Sequence, residues 1–312
     1  MNRFTLRQLE YFAAVAGAGS VAGAAEAVNV SSPTISAALS QLEEVLGVTL
    51  FVRRRAQGLA LTQAGRQMLE QAERVLAEAA ALQRLAGDIA GEVRGPLTVG
   101  CLLTFAQIVV PGLRRGFESR YPEVQVRQRE LDQEGIFDGL RRAEIDVALS
   151  YDMDIPKDLA FVPLLPLHPF AMMAEAHPLA GRAAVSAAEL KDFPMILLDL
   201  PYSADYFLSF FKGLSGGPAI AERTRDMAVM RSLVANGYGY AIANIRPLSE
   251  RAPDGKPLRF VPLEGGVAPM QLGLVMAKGA ERMLTIRAFI EHAKAYVTRG
   301  VVPGVAPPGG GA

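Results

Sequence analysis

The chain has 312 residues, half of them hydrophobic and 21% charged, enough for two or three globular domains with sizeable cores. Lys plus Arg equals Asp plus Glu at 32 each, which excludes a general polycation, so any affinity for nucleic acid must sit in a local patch. The single cysteine, Cys101, excludes an intramolecular disulfide and suits a reducing cytoplasm.

The opening segment, Met1 to Glu10, has no uninterrupted apolar run, so no secretory signal is expected. Thr5-Leu-Arg-Gln8 has the form of a capping box, and Leu6, Leu9, Phe12 and Val15 give a first helix one apolar face. Gly17 and Gly19 end it. Ser20 caps a short second helix to Val28, and Asn29 to Ser31 make a tight turn. Ser32 then supplies an N-cap oxygen, with Pro33 at the first helical position of a helix that runs to about Leu46 and stops at Gly47. Ala25, Val28, Val30, Ile35, Leu39 and Leu42 close on one core. Ser31, Ser32, Pro33, Thr34, Ser36 and Gln41 are left at the outward front of the third helix, the arrangement by which a helix-turn-helix enters a major groove. Val48–Val52 and Leu59–Leu61 are β-prone runs around Arg53-Arg54-Arg55, which predicts a hairpin wing with a basic tip for phosphates or the minor groove. A solvated basic loop is the plainer alternative.

The segments Leu6–Phe12, Gly19-Ser20, Ala24-Ala25, Ser32–Ser36, Leu42-Glu43, Leu46–Val48, Leu50-Phe51, Arg53 and Leu61–Gly65 occur in this order over about sixty residues. Together they resemble the N-terminal domain of LysR-type transcriptional regulators. The resemblance implies an all-α winged helix-turn-helix domain over residues 1–62 that binds double-stranded DNA through Ser31, Ser32, Pro33, Thr34, Ser36, Gln41, Arg53, Arg54 and Arg55. One departure matters. Pro33 to Gln41 contains no Lys or Arg, and Ser32 stands where the family often has Gln, so bidentate readout of guanine by Arg is not available from that helix. The basic excess is small as well: six Arg against four Glu up to Arg66, a difference of two. Ser, Thr and Gln contacts are expected, with much of the affinity coming from the wing and from dimerisation.

Thr62-Gln63-Ala64-Gly65 opens a long helix to about Ala90, a linker over residues 63–91. Met68, Ala72, Val75, Ala79 and Leu82 recur at alternating spacings of four and three, continuing through Ala86 and Ile89, with Leu69, Leu76 and Leu85 as a second stripe. Such a helix either packs on its own domain or forms a two-stranded seam. The resemblance implies the seam, hence a homodimer or homotetramer. From Leu97 strands and helices alternate, which predicts α/β domains with mainly parallel sheets. Crossings near Pro163–Pro169 and Pro262–Pro269 outline a two-lobed, periplasmic-binding-protein-like effector domain over residues 95–300. Lobe I would comprise about 95–165 and 266–300, and lobe II about 166–265. The Pro- and Gly-rich tail, 301–312, is expected to be disordered.

Open α/β sheets bind ligands beyond the carboxyl ends of their strands. That rule selects Leu102, Leu103 and Thr104, with Thr104 capping a helix from Phe105. It also selects Ser150 and Tyr151, then Tyr202 and Ser203, and finally Thr224 and Arg225. Free N–H groups at a helix start favour an anion, and Arg225 offers a carboxylate partner unless Asp199 or Asp226 takes it, so a carboxylate effector is in view. Thr104, Ser203 and Asp226 are equally well read as plain helix caps. Cys101 lies beside this crevice but has no second cysteine to resolve a sulfenic acid.

His168, His177 and His292 are isolated and lack metal-ligand spacing or a nucleophile motif, so neither an enzyme nor a metal site nor a cofactor is expected. A cytoplasmic small-molecule-binding protein without regulatory DNA binding is the alternative to a regulator, but it leaves the N-terminal domain unexplained. The sequence therefore predicts a cytoplasmic, effector-controlled, DNA-binding transcriptional regulator without membrane attachment, with RNA polymerase a further candidate contact.

Overall fold

The computed structural model describes residues 4–54, 58–266 and 268–298, with only the backbone of 53, 54 and 298. The chain divides into two units, Met1–Ala86 with Arg142–Glu144, and Gly87–Arg141 with Ile145–Ala312.

In the first unit, Thr5 and Gln8 close the predicted capping box at the start of helix α1 (Leu6–Ala18), which ends at Gly19 in the left-handed conformation, φ 64°. Ser20 caps α2 (Val21–Ala27) by accepting from Gly23 N at 3.1 Å. The third helix, α3 (Ser32–Leu46), begins one residue earlier than predicted. Its cap is Ser31, whose Oγ accepts from Thr34 N at 3.3 Å; Ser32 is already helical, and Pro33 follows it in the first turn. The cause lies in the turn: Val30 N returns to Ala25 O at 3.0 Å, so Ser31 is the first extended residue whose side chain can meet a free helix N–H. Leu9, Phe12, Val15, Ala24, Ala25, Ile35, Leu39, Leu42 and Leu50 form the core of this unit.

Strands β1 (Phe51–Arg54) and β2 (Gly58–Leu61) pair antiparallel, and Leu59 N donates to Gly19 O, holding the hairpin beside the end of α1. Thr62 Oγ1 then accepts from Gly65 N at 2.8 Å to start α4 (Gln63–Ala90). Gly65 is required there, because a Cβ would lie 2.1 Å from Leu50 O.

In the second unit the elements run β3 (Gly95–Leu102), α5 (Leu103–Ile108), α6 (Val110–Arg120), β4 (Val124–Leu131), α7 (Gln133–Arg141), β5 (Val147–Tyr151) and β6 (Leu159–Leu167). There follow β7 (Phe170–Ala174), β8 (Val185–Ser186), α8 (Ala187–Leu190), β9 (Met195–Leu198), α9 (Ser203–Ser209), β10 (Ile220–Thr224), α10 (Met227–Ala235), β11 (Ala241–Ala243), β12 (Leu258–Glu264), β13 (Met270–Ala277) and α11 (Leu284–Thr298). The first lobe carries the sheet β4-β3-β5-β13-β6, and the second carries β11-β7-β12-β8 beside the pair β10-β9. The chain leaves the first lobe between Leu167 and Phe170 and returns between Glu264 and Met270.

The sheets are mixed rather than mainly parallel. Strand β13 is antiparallel to both β5 and β6, and β7 is antiparallel to both β11 and β12. The reason is topological: the returning strand β13 inserts between two strands of the first lobe and runs against them. The helix expected from Phe105 starts at Leu103 and divides at Val109, where Pro111 has no N–H to continue the ladder.

Candidate functional site

The leading face of α3 is exposed at Ser31, Pro33, Thr34, Ser36 and Gln41, and half-exposed at Ser32. Two of these side chains are already engaged with each other: Ser31 Oγ and Thr34 Oγ1 lie 2.8 Å apart within the cap. Gln41 Oε1 accepts from Gln8 Nε2 at 3.2 Å, tying the face to α1. Ser32 and Ser36 carry the hydroxyls of this face with no such tie among the described residues. Arg53 and Arg54 lie on β1, and Arg55 lies outside the described residues.

The seam proposed along α4 needs one correction. Ala72 is only 5% exposed and belongs to the core of its own unit, with Met68, Leu69 and Leu76 packed around it. By contrast Val75 is 42% exposed and Leu82 68%, with Ala79 half-buried between them, and Leu85 and Ile89 extend the open stripe at 53% and 80%. The start of the heptad therefore serves the domain itself, where Met68, Leu69, Ala72 and Leu76 join Leu42 and Leu50 in one apolar cluster.

In the second unit a cavity of about 330 Å³ opens where the carboxyl ends of several strands converge. Leu102, Leu103 and Thr104 reach it from the β3–α5 junction, Glu130 to Gln133 from β4–α7, and Tyr151 and Met153 from β5. The second lobe supplies Leu198, Leu200, Pro201, Ser203 and Phe207, then Arg225, Met227, Ala243 and Asn244. The walls are mostly apolar with a few convergent polar groups, as small-molecule sites generally are.

Six of the nine predicted effector residues line this cavity: Leu102, Leu103, Thr104, Tyr151, Ser203 and Arg225. Ser150, Tyr202 and Thr224 do not. Ser150 is fully buried and donates to Gln133 Oε1 at 2.9 Å, so it acts through Gln133. Tyr202 takes a left-handed backbone, φ 64°, and its ring lies 6.4 Å from that of Phe137. Thr224 Oγ1 accepts from Asp226 N at 3.2 Å in the turn before α10. The capping roles also change. Thr104 lies inside α5, whose cap Leu102 has no side-chain acceptor, and Ser203 is the first residue of α9, its hydroxyl turned back to Leu200 O. Asp226 is a true cap, accepting from Ala228 N and Val229 N.

Gln133, Met153, Phe207, Met227 and Asn244 line the cavity although the sequence reading did not select them. Gln133 and Asn244 lie just past β4 and β11, so the strand-end rule, applied to every strand, would have found both. Burial holds the Tyr151 phenol far above its ordinary pKa, against the opposing pull of Thr104 and Asn244, so it stays a neutral donor. Arg225 is exposed on the cavity wall and makes no ion pair among the described residues, since Asp199 pairs with Arg223 and Asp226 caps α10.

Two family models match the chain: the bacterial regulatory helix-turn-helix protein of the lysR family over residues 6–66, and the LysR substrate binding domain over residues 90–298. The chain belongs to the LysR family of transcriptional regulators. It is a LysR-type DNA-binding regulator with an effector-binding domain, and members of this family are regulators rather than enzymes. Among solved LysR-type structures, HinK from Pseudomonas aeruginosa is 34% identical with a TM-score of 0.63, covering 94% of this chain and 98% of its own. An H2O2-bound mutant of OxyR from Corynebacterium glutamicum is 25% identical with a TM-score of 0.63, covering 96% and 94%. Full-length CbnR in complex with its target DNA is 25% identical with a TM-score of 0.67, covering 94% and 99%. Among the described residues of this LysR-type regulator, no helix is long and apolar enough to cross a membrane, and no cluster of His, Cys, Asp and Glu could hold a metal ion.

Proposed function

We propose that this regulator acts in the cytoplasm as a homodimer or homotetramer whose DNA contacts are set by a carboxylate effector in the cleft of the second unit. Arg225 carries the reading: a guanidinium with no ion pair among the described residues, the one cation on the wall of a mostly apolar cavity, matches a carboxylate fork to fork. Effector binding favours one closure of the two lobes over another, and that choice alters the spacing of paired DNA-binding units. The exposed stripe Val75, Ala79, Leu82, Leu85 and Ile89 supports pairing through α4. Base contacts are assigned to Ser32, Pro33, Ser36 and Gln41, phosphate contacts to Arg53, Arg54 and Arg55, and cap support to Ser31 and Thr34. RNA polymerase is the partner through which a bound regulator of this kind would act on transcription.

A thiol-based response to oxidants is not part of this reading. Cys101 is the one cysteine, is fully buried, and burial with Glu130 nearby pushes its thiol up to about 12, far from the reactive thiolate. Footprinting of the purified protein on the DNA upstream of its own gene tests the regulatory reading. A long protected site with spaced half-sites is expected. A folded oligomer that protects nothing at low salt would contradict it.

A further inference from the structure

The hydrogen bonds of α1 decide how one side chain of α3 faces outward. At the start of α1, Gln8 Oε1 accepts from Thr5 N at 2.8 Å and from Thr5 Oγ1 at 3.2 Å. A backbone N–H can only donate, so this capping box fixes which end of the Gln8 amide is the oxygen. The other end, Nε2, can only donate and needs an acceptor. It meets Gln41 Oε1 at 3.2 Å, and turning the Gln41 amide over would set two N–H groups against each other. The bonds from Thr5 through Gln8 therefore orient the Gln41 amide as well. Its Oε1 is held by Gln8, and its Nε2, with no partner among the described residues, is the end left for another molecule. Gln41 is exposed. It follows Thr34 by about two turns on the same side of α3, away from the buried Ile35, Leu39 and Leu42.

We infer that Gln8 is a positioning residue for DNA readout, and that it makes Gln41 a donor selecting a keto base, guanine or thymine. This rests on the assignment of Gln41 to base contact made above. Guanine O6 and N7 and thymine O4 are acceptors in the major groove, whereas cytosine N4 and adenine N6 are donors. A glutamine free to present both ends of its amide suits adenine, giving to N7 and accepting from N6. With Oε1 held by Gln8, that bidentate pairing is lost, and the projecting N–H groups match guanine or thymine. No other side chain on this stretch of α3 supplies that selectivity, since Pro33 to Gln41 holds no Lys or Arg to address guanine. The nearby hydroxyls do not substitute for it, because Ser and Thr oxygens give and accept alike and leave the base undetermined.

Selection of bound sequences from a randomised DNA library by the full-length protein, with thermal unfolding alongside, tests this. The wild type should favour guanine or thymine at one position of each half-site by about fivefold, the worth of one net hydrogen bond. Gln41→Ala should erase that preference at that position only. Gln8→Glu is the deciding variant. A glutamate there still accepts from Thr5 N, so the capping box and the unfolding midpoint should be kept. It has no N–H for Gln41, so the amide turns over, Oε1 projects, and the preference at the same position should move to cytosine or adenine. The added charge weakens every sequence alike, so the ranking of bases is the readout. Gln41→Glu, which keeps the bond from Gln8 and projects an oxygen, should give the same switch. An unmoved preference in a folded Gln8→Glu protein or in Gln41→Glu, while Gln41→Ala changes the ranking, would overturn the donor assignment and leave the base contact standing. An unchanged ranking in Gln41→Ala would overturn both.

Discussion

Tyr151 and Asn244, 93 residues apart, meet as donor and acceptor at 3.0 Å on the wall of the cleft. One comes from the end of β5 in the first lobe and the other from just past β11 in the second, so this hydrogen bond joins the two lobes at the ligand cavity, beside a second from Asn244 Nδ2 to Met270 Sδ of β13. Both residues are buried, so the bond is made out of reach of competing water. Removing the phenol oxygen in Tyr151→Phe leaves Asn244 Oδ1 without its donor. The effector-binding unit should lose about 1–3 kcal/mol, seen as a lower unfolding midpoint in the ligand-free protein. An unchanged midpoint would mean that the bond contributes nothing to holding the lobes together.

The stripe on α4 gives a contrast between two substitutions one turn apart. Val75 is open, so Val75→Asp should leave the monomer folded and break the oligomer, seen as a halved mass in light scattering. Ala72 is buried in its own domain, so Ala72→Asp should instead destabilise that domain by several kcal/mol, seen as loss of helical signal on mild heating. An intact oligomer in the Val75 variant would remove the seam.

DNA readout should separate in the same way between the wing and α3. Arg53→Ala with Arg54→Ala should weaken binding to every sequence alike and reduce the salt slope by about 0.9 per lost phosphate contact. Ser36→Ala should instead change the ranking of operators, by about 1–3 kcal/mol at the affected base pair if the contact is direct. A uniform loss across sequences in the Ser36 variant would place that hydroxyl away from the bases.

Cys101 predicts silence toward oxidants. Its thiol, raised to about 12 from 9.0, remains protonated at neutral pH, so the folded protein should resist alkylation and peroxide should not alter DNA binding. Because the folded value lies above the unfolded one, the contribution of this group to stability is complete below pH 9 and is lost as the pH climbs toward 12. Rapid labelling of the native protein at pH 7 would contradict the buried, neutral thiol.

Much of this molecule was legible where local chemistry decides the outcome. Thr5 with Gln8, Ser20, and Gly19 and Gly47 set the helix ends through caps and left-handed turns that depend on a few adjacent residues. The shift from Ser32 to Ser31 shows the limit of that reasoning, since a bond from Val30 back to Ala25 decided which serine was extended. Tertiary choices were less legible. Ala72 fits a seam by spacing and a core by position, and only the apolar residues opposite it settle the matter. Strand β13 reads as one more strand of an α/β alternation, yet its antiparallel insertion follows from the return of the chain out of the second lobe. In the cleft, Arg225 and Tyr151 were reachable from strand ends. The bond between Tyr151 and Asn244 was not, because it joins residues far apart in the chain that only the fold brings together.

The coupling of cleft to DNA is tested most directly by footprinting with and without saturating benzoate, a simple monocarboxylate, in wild type and in Arg225→Gln. The wild-type protected segment should change in length or spacing when the ligand is added, while the variant keeps its ligand-free pattern at the same concentration. A wild-type footprint that stays the same, with ligand binding established calorimetrically in the same buffer, would contradict control of DNA contacts from this cleft.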